Sequence, residues 1–591
     1  MATKRKFSLL LLFIIFHAHR STAQSFPFTE AYNETKKQEA MAAYPESKWD
    51  SLRCAWYGEC LPLSPQPQTV VTSCPLAKRM FGWHAIGTLS SSYQWALLSV
   101  LSYFSYQVDP ATGNATNASS MAAFPTNATV TTALANGVKV SLCVTLFQST
   151  TEFSTFFGSA NAQNNLITNL INLISSANAT GINIDFEGPG LNTTYVSQFG
   201  SFLSSLSSQL HTAIPGSELS IDLQGSYSSS TSLLNTLIPS VDLFILMGYD
   251  YYWQGQFYPG PIAPTYQFPK ATADPNGHGN VSNDLNNVLK IVDKNKVILA
   301  MPYYGRRWRT TNGCVIPADG NAATISTQTY SQYRDNASGY YSNTLRETNS
   351  FNAYHCFDAS AVPNQQFIDD TYSLQKKYDI IRQRGLAGAA VWRLGYDAGY
   401  NDCWNLVNNN LSNCSITPAR DTIYDMGGPT GNYHNAENYT FTIAPAGAGT
   451  VALSFLSFDL EQGFDSLRIY NGPSTASELI GSFTGNTIPA TTIATNGSMT
   501  IQFHADNATN KTGYTAIYTS NCQANTWLGT VNTAWEEAGN WSCGKVPDEN
   551  TNVTINSGTV VVNSNVAIRT LILNSAVSFT VSANNNFTVL H

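Results

Sequence analysis

The 591-residue sequence predicts an α/β fold, a closed (β/α)8 barrel, followed by an all-β sandwich and a short β-rich, solenoid-like C-terminal segment. Three observations predict it. Apolar runs of strand length alternate with amphipathic stretches over about 330 residues, which favours a barrel over an open sheet. One run, residues 180–187, ends in acids that share a strand face. Beyond Cys403 the helical periodicity stops and short strands recur between turns.

At the N-terminus, Lys4, Arg5 and Lys6 precede the apolar run 9–16, and Ser21-Thr22-Ala23 supplies small residues for cleavage. Residues 1–23 therefore read as a secretory signal peptide, and no later apolar run approaches the ~20 residues of a transmembrane segment. Residues 24–76 form a Cys-containing segment with Cys54, Cys60 and Cys74, as expected of an exported, disulfide-forming chain. The barrel is expected over 77–412. Its first three strands are read at 79–84, 96–104 and 137–145, and its fifth at 218–224. Leu166, Leu170, Ile171 and Ile174 stand at helical spacing between the third and fourth strands. Asp369 and Asp370 open the last helix as cap and first-turn acids, and Gly385 closes it. Cys143 falls within a buried strand and is expected to be a reduced core thiol, whereas Cys314 and Cys356 flank a long insertion that a bridge would tighten.

The fourth strand carries the chemistry. Side chains alternate faces along a strand, so Asn183, Asp185 and Glu187 project to one side while Ile182, Ile184 and Phe186 pack on the other. Two carboxylates one strand repeat apart, roughly 7 Å at the backbone, make each other's ionisation more costly, which poises one as a general acid. Gly188-Pro189-Gly190 stops the strand at Glu187, at the carboxyl end where barrels of this class keep their active sites. The run 242–251 reads as a doubly buried sixth strand with a polar aromatic tip, 296–306 as the seventh and 388–394 as the eighth.

The segment 180–187 resembles the signature of the family 18 glycoside hydrolases, in which an acid is followed at fixed spacing by two further acids and a catalytic Glu. Thr180 and Asn183 occupy the first two acidic positions, and Asp185 and Glu187 keep their charge. Asn at the second position resembles the di-N-acetylchitobiase branch. The Met-x-Tyr-Asp end of the sixth strand matches at Met247, Tyr249 and Asp250, and the sugar-flooring Trp of the eighth matches Trp392. The resemblance implies a TIM-barrel enzyme that hydrolyses β-1,4 bonds at N-acetylglucosamine with retention, by substrate-assisted catalysis through an oxazolinium intermediate. Glu187, Asp185 and Tyr249 are the catalytic candidates. Asn183, Asp250, Met247, Trp392, Tyr303 and Gln224 are the substrate-binding candidates, with Asn183 expected to hydrogen-bond Asp185. No cofactor is needed for catalysis in this scheme.

Residues 413–522 are similar to a CUB sandwich, on the segments 459–461, 464–472 and 513–518. The resemblance places a Ca2+ site at Glu461, Asp465 and Asp506, whose oxygen ligands suit that ion. Residues 523–591 hold Trp527, Trp535 and Trp541 ahead of Val/Ile/Thr strands at about ten-residue intervals, the pattern of opening solenoid coils or another small β module.

Partners follow from the same reading. Lys and Arg total 30 against 38 Asp and Glu, a net charge of −8, which argues against nucleic acid. No Cys or His set has zinc spacing. The partner expected is an N-acetylglucosamine-containing oligo- or polysaccharide, with cell-surface or extracellular matrix partners for the CUB-like and C-terminal modules. Localisation is expected to be secreted, at the cell surface or lysosomal, and sequons at Asn114, Asn117, Asn127, Asn336 and Asn507 permit glycosylation. Three alternatives stay open: a non-catalytic chitinase-like lectin, a cell-surface adhesion protein, and an endo-β-N-acetylglucosaminidase acting on N-glycans or peptidoglycan.

Overall fold

The computed structural model describes residues 74–590 apart from 148, 254–257, 270–278, 312, 319, 337–338, 360–361, 414, 416, 523 and 550, together with residues 34, 35, 37 and 38. The expectations for the leader 1–23, Cys54 and Cys60 lie outside the described residues. Eight parallel strands close the barrel in chain order. They are β1 (Arg79–Ala85), β2 (Val100–Gln107), β3 (Lys139–Phe147), β4 (Gly181–Glu187), β5 (Glu218–Gln224), β6 (Leu243–Met247), β7 (Val297–Pro302) and a last strand, Gly388–Trp392, that pairs with both β7 and β1.

The differences from the expected bounds have local causes. The second strand starts at Val100 because Trp95–Leu97 forms a single 3-10 turn, which an unbroken apolar run cannot signal. Gly137 turns with φ +76°, so the third strand starts at Lys139. Asp250 lies in the left-handed region at φ 58°, and β6 ends before it, at Met247. The expected seventh strand is two strands. Pro302 has no N–H to give a ladder, and the chain leaves the barrel there and enters β8 (Tyr304–Thr310) of a separate sheet.

That sheet is the insertion. β9 (Gly320–Thr329), β10 (Leu345–Arg346), β11 (Ala353–Ala359) and β12 (Val362–Ile368) join β8 in the order β10-β11-β12-β8-β9. Cys314 and Cys356 are bridged across it, with Cα atoms 5.5 Å apart, as expected. Gly388–Trp392 is thus β13.

Helices cover the barrel. On Ala160–Ser176 the residues Leu166, Leu170 and Ile174 are buried and Ile171 is half-buried. In the last barrel-capping helix, Thr371–Arg384, the expected cap is shifted by one residue. Asp370 is the N-cap and accepts from Ser373 N at 3.0 Å, and Gly385 ends the helix at φ 69°. Asp369 lies before the cap and forms a fully buried ion pair with Lys377. Cys143 is a free buried thiol, and so is Cys403.

The second domain is a sandwich of two antiparallel sheets. It comprises β14 (Arg420–Tyr424), β15 (Asn438–Ile443), β16 (Ala448–Asp459), β17 (Ser466–Asn471), β18 (Glu478–Phe483), β19 (Thr492–Ala494), β20 (Met499–His504) and β21 (Gly513–Cys522), ordered β14-β21-β16-β19 and β15-β20-β17-β18. It is not a loose appendage. One hydrophobic core runs from the barrel into it, Gln383 donates to Tyr424 O at 2.8 Å, and the Arg384 guanidinium lies 5.5 Å from the Tyr439 ring centre.

The C-terminal strands stack in parallel: β22 (Ala524–Thr526), β23 (Asn552–Ile555) and β26 (Thr570–Leu573) in one ladder, β24 (Gly558–Val562) with β27 (Val577–Val581), and β25 (Val566–Ile568) with β28 (Phe587–Val589). Asn552 pairs with Thr570, Gly558 with Val577 and Val566 with Phe587. Successive turns about twenty residues long are the geometry of solenoid coils, the first of the two expected forms. Trp527, Trp535 and Trp541 form its core.

Candidate active site

The strand alternation read from the sequence puts Asn183, Asp185 and Glu187 on the inner face of β4, each at most 1% exposed. Three carboxyl groups gather there, because Asp222 reaches in from the neighbouring strand β5. Burial raises the Asp185 carboxyl well above the usual range, and the charges of Glu187 and Asp222 raise it further. Asp185 also hydrogen-bonds Glu187, which binds a proton into the pair. Gln224, the last residue of β5, donates its side-chain amide to Glu187 Oε2. Tyr227 fixes the turn that follows: its hydroxyl donates to Gly188 O at 2.8 Å and accepts from Gly188 N at 3.0 Å.

Asn183 does not bond Asp185 as expected. Trp83 Nε1 can only donate, and it meets Asn183 Oδ1 at 2.8 Å, beside Ser102 Oγ at 3.1 Å. The amide nitrogen is thereby turned to β5, where it donates to Asp222 Oδ1 at 2.9 Å. Alternation on β5 puts Asp222 on the same face as Gln224, so Asp222 was legible to the reasoning that found Gln224. Trp83 and Ser102 on β1 and β2 had no signal beyond strand phase.

Tyr249 lies just past β6 and is buried, its hydroxyl held protonated by burial and by the Asp222, Asp185 and Glu187 charges. Met247 is buried at the β6 end, opposite Gln224 in the ladder. Trp392 packs against Trp83 and Phe104 at ring separations of 5.6 and 4.8 Å, and its Nε1 is buried without a hydrogen-bond partner among the described residues. Asp250 is ion-paired: its Oδ1 accepts from Arg306 Nη2 at 2.9 Å and from Tyr304 OH at 2.7 Å. The sequence reading placed Tyr303 in the site, and that is corrected. Tyr303 points outward, into the layer of Tyr330, Tyr378 and Cys403, while the next residue, Tyr304, faces Tyr249 and Asp250. The misplacement came from carrying β7 through Pro302, where the chain changes sheet.

Two described residues of the N-terminal segment lie at the barrel mouth. Glu34 pairs with Arg393 at 3.7 Å, and Gln38 Nε2 donates to Phe104 O at 3.2 Å. A groove of about 660 Å3 between outer helices, lined by Thr193, Ser197, Ser201 and Ser232, holds no titratable side chain and lies away from the acids.

In the sandwich, Glu461, Asp465 and Asp506 converge, with one ligand oxygen from each within 4.8 Å of the others. Tyr433 OH donates to Asp465 Oδ2, and Asp506 N to Asp465 Oδ1 at 2.8 Å. Glu461 Oε2 is buried without a hydrogen-bond partner among the described residues. An oxygen-only set with an unsatisfied anion fits a hard cation such as Ca2+.

The model for glycosyl hydrolases family 18 covers residues 81–397, more than half of the 591 residues, and the CUB domain model covers 413–518. A probable endochitinase of Caenorhabditis elegans is 28% identical over 176 residues, 29% of this chain and 28% of the relative. Tolloid-like protein 2 of Homo sapiens is 29% identical over 94 residues, 15% of this chain and 9% of the relative. The chain therefore spans less than a third of either relative's length. Among solved structures, the Group IV chitinase of Ostrinia furnacalis with allosamidin has TM-score 0.49 at 16% identity, covering 56% of this chain and 97% of that one. The class V chitinase of Nicotiana tobaccum has TM-score 0.47 at 19% identity, covering 57% and 97%.

Proposed function

The chain belongs to the glycosyl hydrolases of family 18, and from that premise we propose that it is an active, secreted, retaining hydrolase of β-1,4 bonds that follow an N-acetylglucosamine in chitin-type oligosaccharides. The observation that carries the reading is the buried Asp185–Glu187 hydrogen bond at the carboxyl end of β4, with Gln224 bound to Glu187 Oε2. Such a pair can hold a transferable proton where bulk water would strip it.

The reaction runs in two displacements. Glu187 gives its proton to the glycosidic oxygen while the substrate's acetamido oxygen bonds to the anomeric carbon, and the leaving sugar departs. Asp185 orients the acetamido N–H and offsets the positive charge of the oxazolinium ring. Tyr249 donates to the acetamido group, and Trp392 gives the sugar ring an apolar floor. Glu187, now a carboxylate, takes a proton from water as that water attacks the anomeric carbon and reopens the ring, so configuration is kept. Asp250, already bonded by Arg306 and Tyr304, steadies the Tyr249 loop beside this contact. Glu461, Asp465 and Asp506 would hold Ca2+ in the CUB domain, where the ion offsets carboxylate repulsion and takes no part in hydrolysis.

The test is a screen of the full chain against chitobiose- and chitotriose-linked chromogens, a high-mannose glycopeptide and peptidoglycan. Release from the chromogens with β product at early times is expected. Cleavage of the glycopeptide or peptidoglycan alone would replace the substrate class, and sugar binding without any cleavage would overturn the enzyme.

A further inference from the structure

Asp222 has no part in the reaction just described, yet it lies beside the carboxyl pair that does. One oxygen of Asp222, one of Asp185 and the Cys143 sulfur all lie within 4.8 Å of one another. Asp222 is 2% exposed and sits on the inner face of β5, two residues before Gln224. The groups that face it are Asp185 and Glu187 on β4, the Cys143 thiol on β3 and the Tyr249 hydroxyl after β6.

What distinguishes Asp222 from Asp185 is its donor. Asn183 Nδ2 donates to its Oδ1 at 2.9 Å, and Trp83 holds Asn183 in that orientation through the amide oxygen. Asn183 cannot turn its amide away, because its oxygen is held by Trp83 Nε1 and Ser102 Oγ. By contrast, Asp185 Oδ1 is buried without a partner. A fixed donor stabilises a carboxylate and does nothing for a neutral acid's proton, so between Asp222 and the unpartnered Asp185 the negative charge falls on Asp222. An anion there opposes ionisation of the two carboxyls above it.

We propose that Asp222 is a positioning residue that supplies, from β5, the buried negative charge which β4 lacks at Asn183, and that this charge keeps a proton on the Asp185–Glu187 pair. The inference rests on the proposed glycosidase reading and adds to it the source of the acid's proton. Asn183 and Trp83 then act as the clamp that holds the charge in place.

Two measurements on the full chain test it. The first is the kcat–pH profile. Asp222→Asn keeps size and hydrogen bonding, since the new amide oxygen can accept from Asn183, and removes only the charge. Its alkaline limb should move to lower pH by at least about half a unit, with KM changed less than about twofold. The exchange variant Asn183→Asp/Asp222→Asn returns the charge to the clamp from the other strand, and should restore the limb most of the way. Asn183→Asp alone adds a charge and should move the limb upward, which covers the case in which Asp222→Asn does not fold. An unmoved limb in Asp222→Asn, or an exchange variant no nearer to wild type than the single one, overturns the inference.

The second measurement needs no activity. Burial raises the Asp222 carboxyl, so the native chain binds its proton more tightly than the unfolded chain, and stability falls as pH rises above the unfolded value. Asp222→Asn removes that loss. Its melting temperature should therefore gain on wild type as pH rises from the unfolded carboxyl's value of about 4 and level off below the alkaline limb, where Asp222 is charged in both states, and a gain still growing at the limb means that Asp222 is neutral there and overturns the inference. A wild-type chain that hydrolyses nothing, with this melting result intact, sinks the glycosidase reading and leaves the buried anion standing.

Discussion

Gln224 on β5 and Glu187 on β4 are joined across the strand boundary: the amide of one donates to Oε2 of the other. The bond makes Gln224 a support for the acid, beside the substrate contact expected of it. A hydrogen bond to an ionised group is worth about 1.5–3 kcal/mol, so Gln224→Ala should lower kcat about tenfold to a hundredfold with little change in KM. A rise in KM alone, measured by steady-state kinetics on a chitotriose chromogen, would return Gln224 to the substrate.

Tyr303 and Tyr304 are adjacent and face opposite ways, which makes them a paired control. Tyr304→Phe removes a donor to Asp250, loosens the Arg306 contact and should lower kcat/KM by about tenfold. Tyr303→Phe should leave kcat/KM within about twofold and cost only about 1 kcal/mol of stability, by denaturant titration. The reverse order of effects would mean that β7 continues past Pro302.

Calcium should act on stability and not on chemistry. Because the CUB domain shares its core with the barrel, EDTA should lower the main melting transition of the full chain, and calcium at about 1 mM, a saturating level for extracellular sites, should restore it. Hydrolysis assayed in EDTA well below that transition should be unchanged. An unshifted transition in calorimetry would leave Glu461, Asp465 and Asp506 as loop acids only.

The Cys314–Cys356 bridge closes a loop across a sequence separation of 42 residues. Chain-entropy reasoning assigns such a loop about 4 kcal/mol, so the double Ser variant should unfold at markedly lower denaturant, with kcat retained where it still folds. A variant as stable as wild type would show that the β8–β12 sheet holds itself together.

Much of this was legible because strand periodicity is strict. Once 180–187 is a strand, the face shared by Asn183, Asp185 and Glu187 follows, and the same rule applied to β5 gives Asp222 with Gln224. What the sequence hid lies where periodicity is silent. Trp95–Leu97 belongs to an apolar run that does not reveal a 3-10 turn. The antiparallel sheet after Pro302 is built from pairings distant in sequence, such as Gly305 with Ile368. The partner of Asn183 was decided by the indole N–H of Trp83, one hundred residues away. A local pattern cannot choose between two acids in contact.

The most direct measurement of the central claim is the turnover of Glu187→Gln in the full chain on whichever N-acetylated substrate the wild type accepts. The substitution keeps the shape of the side chain and removes its transferable proton, while Asp185, Tyr249 and Trp392 are untouched. The account predicts a fall in kcat of at least about a hundredfold with sugar binding, followed by tryptophan fluorescence, largely retained. Turnover near that of the wild type would contradict it.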